Sequence, residues 1–213
     1  MEKVQFPEGF TWGAATSAYQ VEGSPLADGA GPTTWHRFSH MRGRIKDGTT
    51  GDVACDHYNR NQEDVGLMRE LGLKAYRFSI GWGRLFPEPG RWNQKGMDFY
   101  ERLVDSLLSA GIEPWLTIWH FDEPLWIAKS GGFVNRDSVD HLVELGIMLF
   151  RRLGDRVRKW TTVNEPTIQA ICGYVLGVFP PGKKLAYRGD LHCFHHLLLA
   201  HARLCKAWEA TGR

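Results

Sequence analysis

Short apolar runs alternate with longer amphipathic segments along the chain. FTWGAATSA (10–18) predicts a strand running into a polar loop. Residues 57–71 predict a helix with Asp56 as N-cap and Val65, Met68 and Leu71 on one face, closed by Gly72. KAYRFSI (74–80) reads as the next strand. The stretch 93–111 reads as a helix with Met97, Tyr100, Val104 and Leu107/Leu108 inward, ended by Gly111. EPWLTIWH (113–120) is a third strand, 135–154 a helix, and KWTTVN (159–164) a fourth strand. The last helix runs over 189–212, capped by Asp190 and stopped by Gly212. The basic run RRLGDRVRK (151–159) suits a helix C-terminus, where cations meet the dipole and the last carbonyls.

The predicted order is β-α-β-α-β-α-β-α, which implies parallel strands with helices outside. The strands are apolar on both faces, as doubly covered strands must be. A dinucleotide-binding sheet needs a glycine-rich turn after its first strand. Here TSAYQVEG follows instead, so a (β/α)8 barrel fits better, with only four of its eight units present. No repeat, low-complexity segment or linker divides residues 1–213, which read as one unit.

In such barrels the chemistry sits at the C-terminal ends of the strands. Tyr19, Gln20 and Glu22 follow the first strand. The second carries Arg77, then Ser79 and Trp82. The third ends in Trp119 and His120, then Phe121 and Asp122, and the fourth in Asn164 and Glu165. Amides, a guanidinium, an imidazole and a carboxyl would converge on one mouth. That inventory suits a sugar: hydroxyl donors and acceptors, aromatic faces, and one proton donor. Pro166 pushes Glu165 away from the helical region, so Glu165 is expected to be held extended at the strand end.

Composition narrows the classes. The chain has 213 residues, 43% hydrophobic and 23% charged, with net charge +2. These values suit a globular protein and give no reason to expect a nucleic-acid or membrane partner. Nine tryptophans raise the prospect of a carbohydrate ligand. Cys55, Cys172, Cys193 and Cys205 form no C-x-x-C pair and read as free, mostly buried thiols. The segment MEKVQFPEGF has no apolar core of a signal peptide, so a cytoplasmic location is expected. His192, His195 and His196 have a spacing that can hold zinc, but no further ligand is placed to complete a set. They read as ordinary helix histidines, and neither metal nor cofactor is expected.

Six blocks in order make the chain recognisable: FPEGFTWGAATSAYQVEG, YRFSIGWGRLFP, NQKGMDFY, WHFDEP, VNEP and GYVLGVFPPG. Through them the whole chain resembles glycoside hydrolase family 1, the β-glucosidase family. The resemblance implies roles residue by residue. Glu165 matches the general acid/base, and Asn164 the amide that binds the sugar 2-hydroxyl. Gln20 and His120 match binders of glycone hydroxyls, Phe121 stands where a stacking aromatic is expected, and Arg77 matches an arginine beside the nucleophile. The mechanism implied is retaining hydrolysis through a glycosyl-enzyme.

Two departures matter. The family usually reads H-W-D-L-P where this chain reads HFDEP. Phe121 keeps a stacking face but loses an N–H donor, and Glu123 is expected to put a charge near the entrance. The T-E-N-G motif that carries the family's nucleophile does not occur here. Asp122 and Glu123 are the conceivable stand-ins, with the entrance charge the simpler role. The expectation is therefore the N-terminal half of a β-glycosidase, inactive alone, whose partners are a β-glucoside or related oligosaccharide and the C-terminal half or a second copy. A half-barrel acting as a sugar-binding or assembly module is the alternative.

Overall fold

The computed structural model describes the backbone of residues 5–213, and the side chains of all of these except residues 186–188. Four strands form one parallel sheet in chain order: β1 (Gly13–Ala15), β2 (Ala75–Ser79), β3 (Glu113–Trp119) and β4 (Lys159–Val163). The register pairs Ala15 with Arg77, Arg77 with Trp115, and Thr117 with Thr161. Four long helices connect or follow the strands: α1 (His57–Glu70), α2 (Gln94–Ser109), α3 (Asp137–Leu153) and α4 (Ala186–Glu209). The sheet is half of a (β/α)8 barrel.

The period-2 alternation of strands decides what each face does. Tyr76, Phe78, Leu116 and Ile118 point outward into one core with Met97, Leu103 and Leu107 of α2, Leu142 and Leu149 of α3, and Leu197 and Leu204 of α4. Each such aliphatic side chain contributes about 1.5–3 kcal/mol by leaving water. Gly72 and Gly111 adopt positive φ (74° and 71°) just past α1 and α2, where the chain must reverse toward the next strand.

Several local expectations shift. Leu71 is 76% exposed, and Leu108 also faces solvent, so the inward stripes of α1 and α2 are narrower than the sequence pattern suggests. The first strand is only three residues long and gives way to a short helix, Ala18–Val21. Asp56 does occupy the N-cap of α1, but in the left-handed region, and its carboxylate accepts from the Asn59 amide instead of a helix N–H. The last helix starts before Asp190, which is therefore not its cap. Of the four thiols only Cys193 is buried, and Cys55 is exposed. The basic run closing α3 pairs outward, Arg152 with Glu101 and Arg156 with Asp105. Among the described residues no helix is long and apolar enough to cross a membrane.

The β1–α1 connection is long and lies against the other strand-end loops. The amide of Gly31 bonds the carbonyl of Gly83, Leu125 bonds Pro32, and Thr34 bonds Glu123. This strap carries a second short helix, Thr34–Ser39. Between β4 and α4 the chain winds through Pro166–Ile168 and a π-helical stretch, Gln169–Leu176.

Candidate active site

The third and fourth strands end alike. Each has one polar residue past the last strand position, His120 and Asn164, and then a residue with left-handed backbone, Phe121 (φ 64°) and Glu165 (φ 42°). Glu165 is thus not extended. Proline disfavours the right-handed helical region for the residue before it, and here the left-handed region is the alternative taken. Pro166 then begins the following helix at its first position, where a missing N–H costs nothing. Non-glycine residues held there carry backbone strain of about 1–3 kcal/mol, which concentrates at functional sites. The result is an exposed Glu165 side chain at the mouth.

Asn164 is buried. Its amide nitrogen on the backbone extends the ladder by bonding the Trp119 carbonyl at 3.0 Å. Its side-chain Oδ1 accepts from Arg77 Nη2 at 2.5 Å, which fixes the amide orientation. Arg77 also donates from Nε to Thr117 Oγ1 at 2.9 Å. The Asn164 Nδ2 then lies 3.4 Å from His120 Nε2. Since an amide nitrogen only donates, Nε2 is the accepting atom and the proton sits on Nδ1. Burial first, and the Arg77 charge second, pull the His120 pKa down to about 4. The imidazole is therefore neutral at pH 7, able to exchange hydrogen bonds with hydroxyls without carrying charge. Thr117, Arg77, Asn164 and His120 form one continuous polar row across three strands.

Gln20 faces solvent on the short helix after β1, where its Oε1 accepts from Ser17 Oγ at 2.8 Å. That helix is anchored by the Ala18 amide, which donates to the buried Ser79 hydroxyl at 2.8 Å. Gln20 and His120 line an open cleft of about 360 Å³ with Tyr19, Trp35, Ser39 and Phe121. Small-molecule ligand sites fall in this volume range. Sequence reasoning overlooked Trp35 and Ser39. They lie in the long β1–α1 connection, far from any strand end in the chain, and only the strap's path brings them to the cleft.

Several residues assigned to the mouth lie elsewhere, among them Trp119, which is fully buried against Phe133. Glu22 is buried and takes Arg84 Nε at 3.1 Å and the Tyr100 hydroxyl at 2.7 Å, a structural ion pair. Trp82 packs in the core near Trp126 and Phe133, and offers no open face. Glu123 is 1% exposed, so it is no entrance charge. Neither carboxylate oxygen has a hydrogen-bond partner among the described residues, and burial, then the nearby Asp122, push its pKa up to about 8. Asp122 is buried as well. It accepts from the Trp35 amide at 3.0 Å and holds the strap in place, and its own desolvation raises it to about 7. With both carboxyls turned into the scaffold, neither is placed to serve as nucleophile in the cleft. Of the α4 histidines, His196 gives its Nδ1–H to the Phe133 carbonyl at 2.8 Å, while His192 and His195 face outward.

The chain was compared with known proteins. The sequence profile of Glycosyl hydrolase family 1 matches residues 2–212. β-Glucosidase A of Thermotoga maritima is 52% identical over 212 residues, which are 99% of this chain and 47% of that protein. The human cytosolic β-glucosidase is 41% identical over 211 residues, 98% of this chain and 45% of its own length. Among solved structures, the family 1 β-glucosidase from Thermotoga maritima superposes with a TM-score of 0.94 at 53% identity, over 97% of this chain and 47% of that one. The chain thus spans about half the length of the relatives it matches. A match along nearly all of its residues, in sequence and in backbone path, places the chain in glycosyl hydrolase family 1.

Proposed function

We propose that these 213 residues form the acid/base half of a retaining β-glycosidase acting on β-glucosides or related oligosaccharides. The observation that carries the reading is the strand-end row Arg77–Asn164–His120, with Glu165 next in the chain and turned out of the sheet by its left-handed backbone. Asn164 and His120 would hold hydroxyls of the glycone, joined by Gln20 across the cleft, and Phe121 would offer a ring edge or face beside them. Glu165 would protonate the leaving oxygen and then take the proton of the attacking water. Arg77 would orient Asn164 and supply positive charge beside the reacting centre.

Retaining hydrolysis needs a second carboxylate about 5 Å from the first. Asp122 and Glu123 are committed to the scaffold, so the nucleophile would come from the other half of the barrel. The open sheet edges at β1 and β4 are where that half would pair, and a second copy of the chain is the competing occupant. The experiment is hydrolysis of an activated aryl β-glucoside by the chain alone and with a C-terminal half supplied in trans. The chain alone should be inactive and the complemented form active. In the complemented form Glu165→Gln should lose about 10²–10⁴-fold on substrates with poor leaving groups, and less in the glycosylation step on substrates with very acidic leaving groups, for which azide should restore rate by attacking the glycosyl-enzyme without a base. Turnover by the chain alone that vanishes in Asp122→Ala would refute this division of labour.

A further inference from the structure

Outside the cleft the strap gathers a second constellation. His36 and His40 stand one turn apart on the Thr34–Ser39 helix and its C-cap. Asp52 reaches them from the loop that follows. One ligating atom from each of the three lies within 4.8 Å of the others. His40 Nε2 is 3.0 Å from Asp52 Oδ2, and His36 Nε2 is 3.9 Å from Asp52 Oδ1.

The hydrogen bonding of His40 says more than proximity does. Its Nδ1 lies 2.7 Å from the His36 carbonyl oxygen. A carbonyl only accepts, so Nδ1 carries the hydrogen. In the neutral ring Nε2 then presents a lone pair, and it presents it to a carboxylate oxygen. Two acceptors at 3.0 Å repel unless a positive centre, a proton on Nε2 or a metal ion, stands between them. A ring nitrogen aimed at a site while the other donates to a backbone carbonyl is the usual arrangement of a metal-ligating histidine. For zinc, bonds of about 2.0–2.2 Å at tetrahedral angles put neighbouring ligand atoms ~3.4 Å apart. The separations are 3.0 Å from His40 Nε2 to Oδ2 and 3.9 Å from His36 Nε2 to Oδ1, one to each carboxylate oxygen and one on either side of that value.

We propose that His36, His40 and Asp52 bind one divalent transition metal of the zinc class, with water completing its coordination, and that the metal clips the loop around Asp52 to the Thr34–Ser39 helix. The clip would act beside the cleft. Ser39 and Gly51, neighbours of His40 and Asp52 in the chain, both line it, and both bond the Tyr19 hydroxyl, at 2.7 and 3.3 Å. The two-histidine, one-carboxylate set leaves a coordination position open; His40 is 43% and Asp52 44% exposed, and His36 is 20% exposed.

The test is calorimetric titration of the chelator-treated 213-residue chain with Zn²⁺, repeated with Co²⁺ to read ligand-field bands. The chain should bind one zinc at this site with micromolar or tighter affinity. Asp52→Asn should weaken it at least tenfold, and His36→Gln/His40→Gln should remove the site, with far-UV circular dichroism unchanged. Amide exchange over residues 47–54 should slow with zinc in the unaltered chain and not in Asp52→Asn. His192→Gln/His195→Gln and Cys205→Ser serve as controls, since those side chains could hold metal on α4. Binding that survives loss of His36 and His40, or that disappears with the α4 variants, would overturn the proposal. So would no binding at millimolar zinc, which would leave His40 and Asp52 as an imidazolium–carboxylate pair only.

Discussion

The two faces of the sheet are finished to different degrees. On the outer face Tyr76, Phe78, Leu116 and Ile118 are all buried under α2, α3 and α4. On the inner face Trp115 is 39% exposed, its indole N–H held only by Thr161 Oγ1 at 3.0 Å, and Lys159 pairs with Glu113 at 2.9 Å in the open. Arg77, Thr117, Asn164 and His120 are tied together there by hydrogen bonds between polar groups. The outer face uses apolar contacts that the chain supplies in full. The inner face, where the proposed chemistry lies, is left largely open in this chain. Stability and function thus rest on opposite sides of the same four strands, and one residue's step along a strand moves it from one role to the other.

The largest expected effect tests the finished side. Leu116→Ala should cost about 2–5 kcal/mol in chemical denaturation, because its neighbours cannot collapse into the cavity. A loss below about 1 kcal/mol would mean that the outer core is loosely packed. Next comes Glu123→Leu, which should stabilise the chain by about 2–4 kcal/mol at pH 8, since it replaces a buried carboxyl without a hydrogen-bond partner among the described residues with a hydrocarbon. The sign with pH follows from the raised pKa values. Asp122 and Glu123 sit above their ordinary range, at about 7 and 8, so the folded chain holds more protons than the unfolded one from about pH 4 upward. Their contribution to stability is fully present below pH ~4 and is lost as pH rises through 7 and 8. His120 works the other way, with stability lost as pH falls from 6.5 toward 4. Glu123→Leu should flatten the alkaline decline and leave the acid one. An unchanged slope above pH 6 would place the Glu123 carboxyl in water.

Smaller effects probe the open side. Trp115→Ala should cost under about 1 kcal/mol in the chain alone, because a half-exposed ring without opposing side chains loses little. The same change should weaken pairing with a C-terminal half or self-association, read by light scattering. A loss of several kcal/mol in the isolated chain would show that the inner face is already covered. Smallest is Asp105→Asn, which breaks the exposed Arg156 pair at 2.6 Å and should shift stability by about 0.2–1 kcal/mol, less at high salt.

Much of this was legible in residue order. Alternating period-2 and period-3.6 segments place all four strands and all four long helices within a few residues of where they lie. The strand ends Arg77, His120, Asn164 and Glu165 fall at the mouth because parallel strands all present their C-termini to the same side. Glu22 and Glu123 were misplaced for a shared reason. A carboxylate near a strand end is expected to seek water, and nothing local reveals that Arg84 and Tyr100 wait 62 and 78 positions on for Glu22, or that the strap closes over Glu123. Glu165 was given the wrong backbone conformation because proline excludes one region and leaves two.

The sequence by itself determined the element order, the parallel sheet, the family and the set of polar groups at the strand ends, since each follows from local periodicity or from motifs in a row. Tertiary structure alone decided which carboxyls see solvent, which histidine stays neutral, and which residues of the β1–α1 connection wall the cleft. Charge state and exposure depend on whatever packs within a few ångströms of a group. For Asp122 and His120 burial leads, and the nearest polar partners, Trp35 and Arg77, are brought in by the fold from 87 and 43 positions away in the chain.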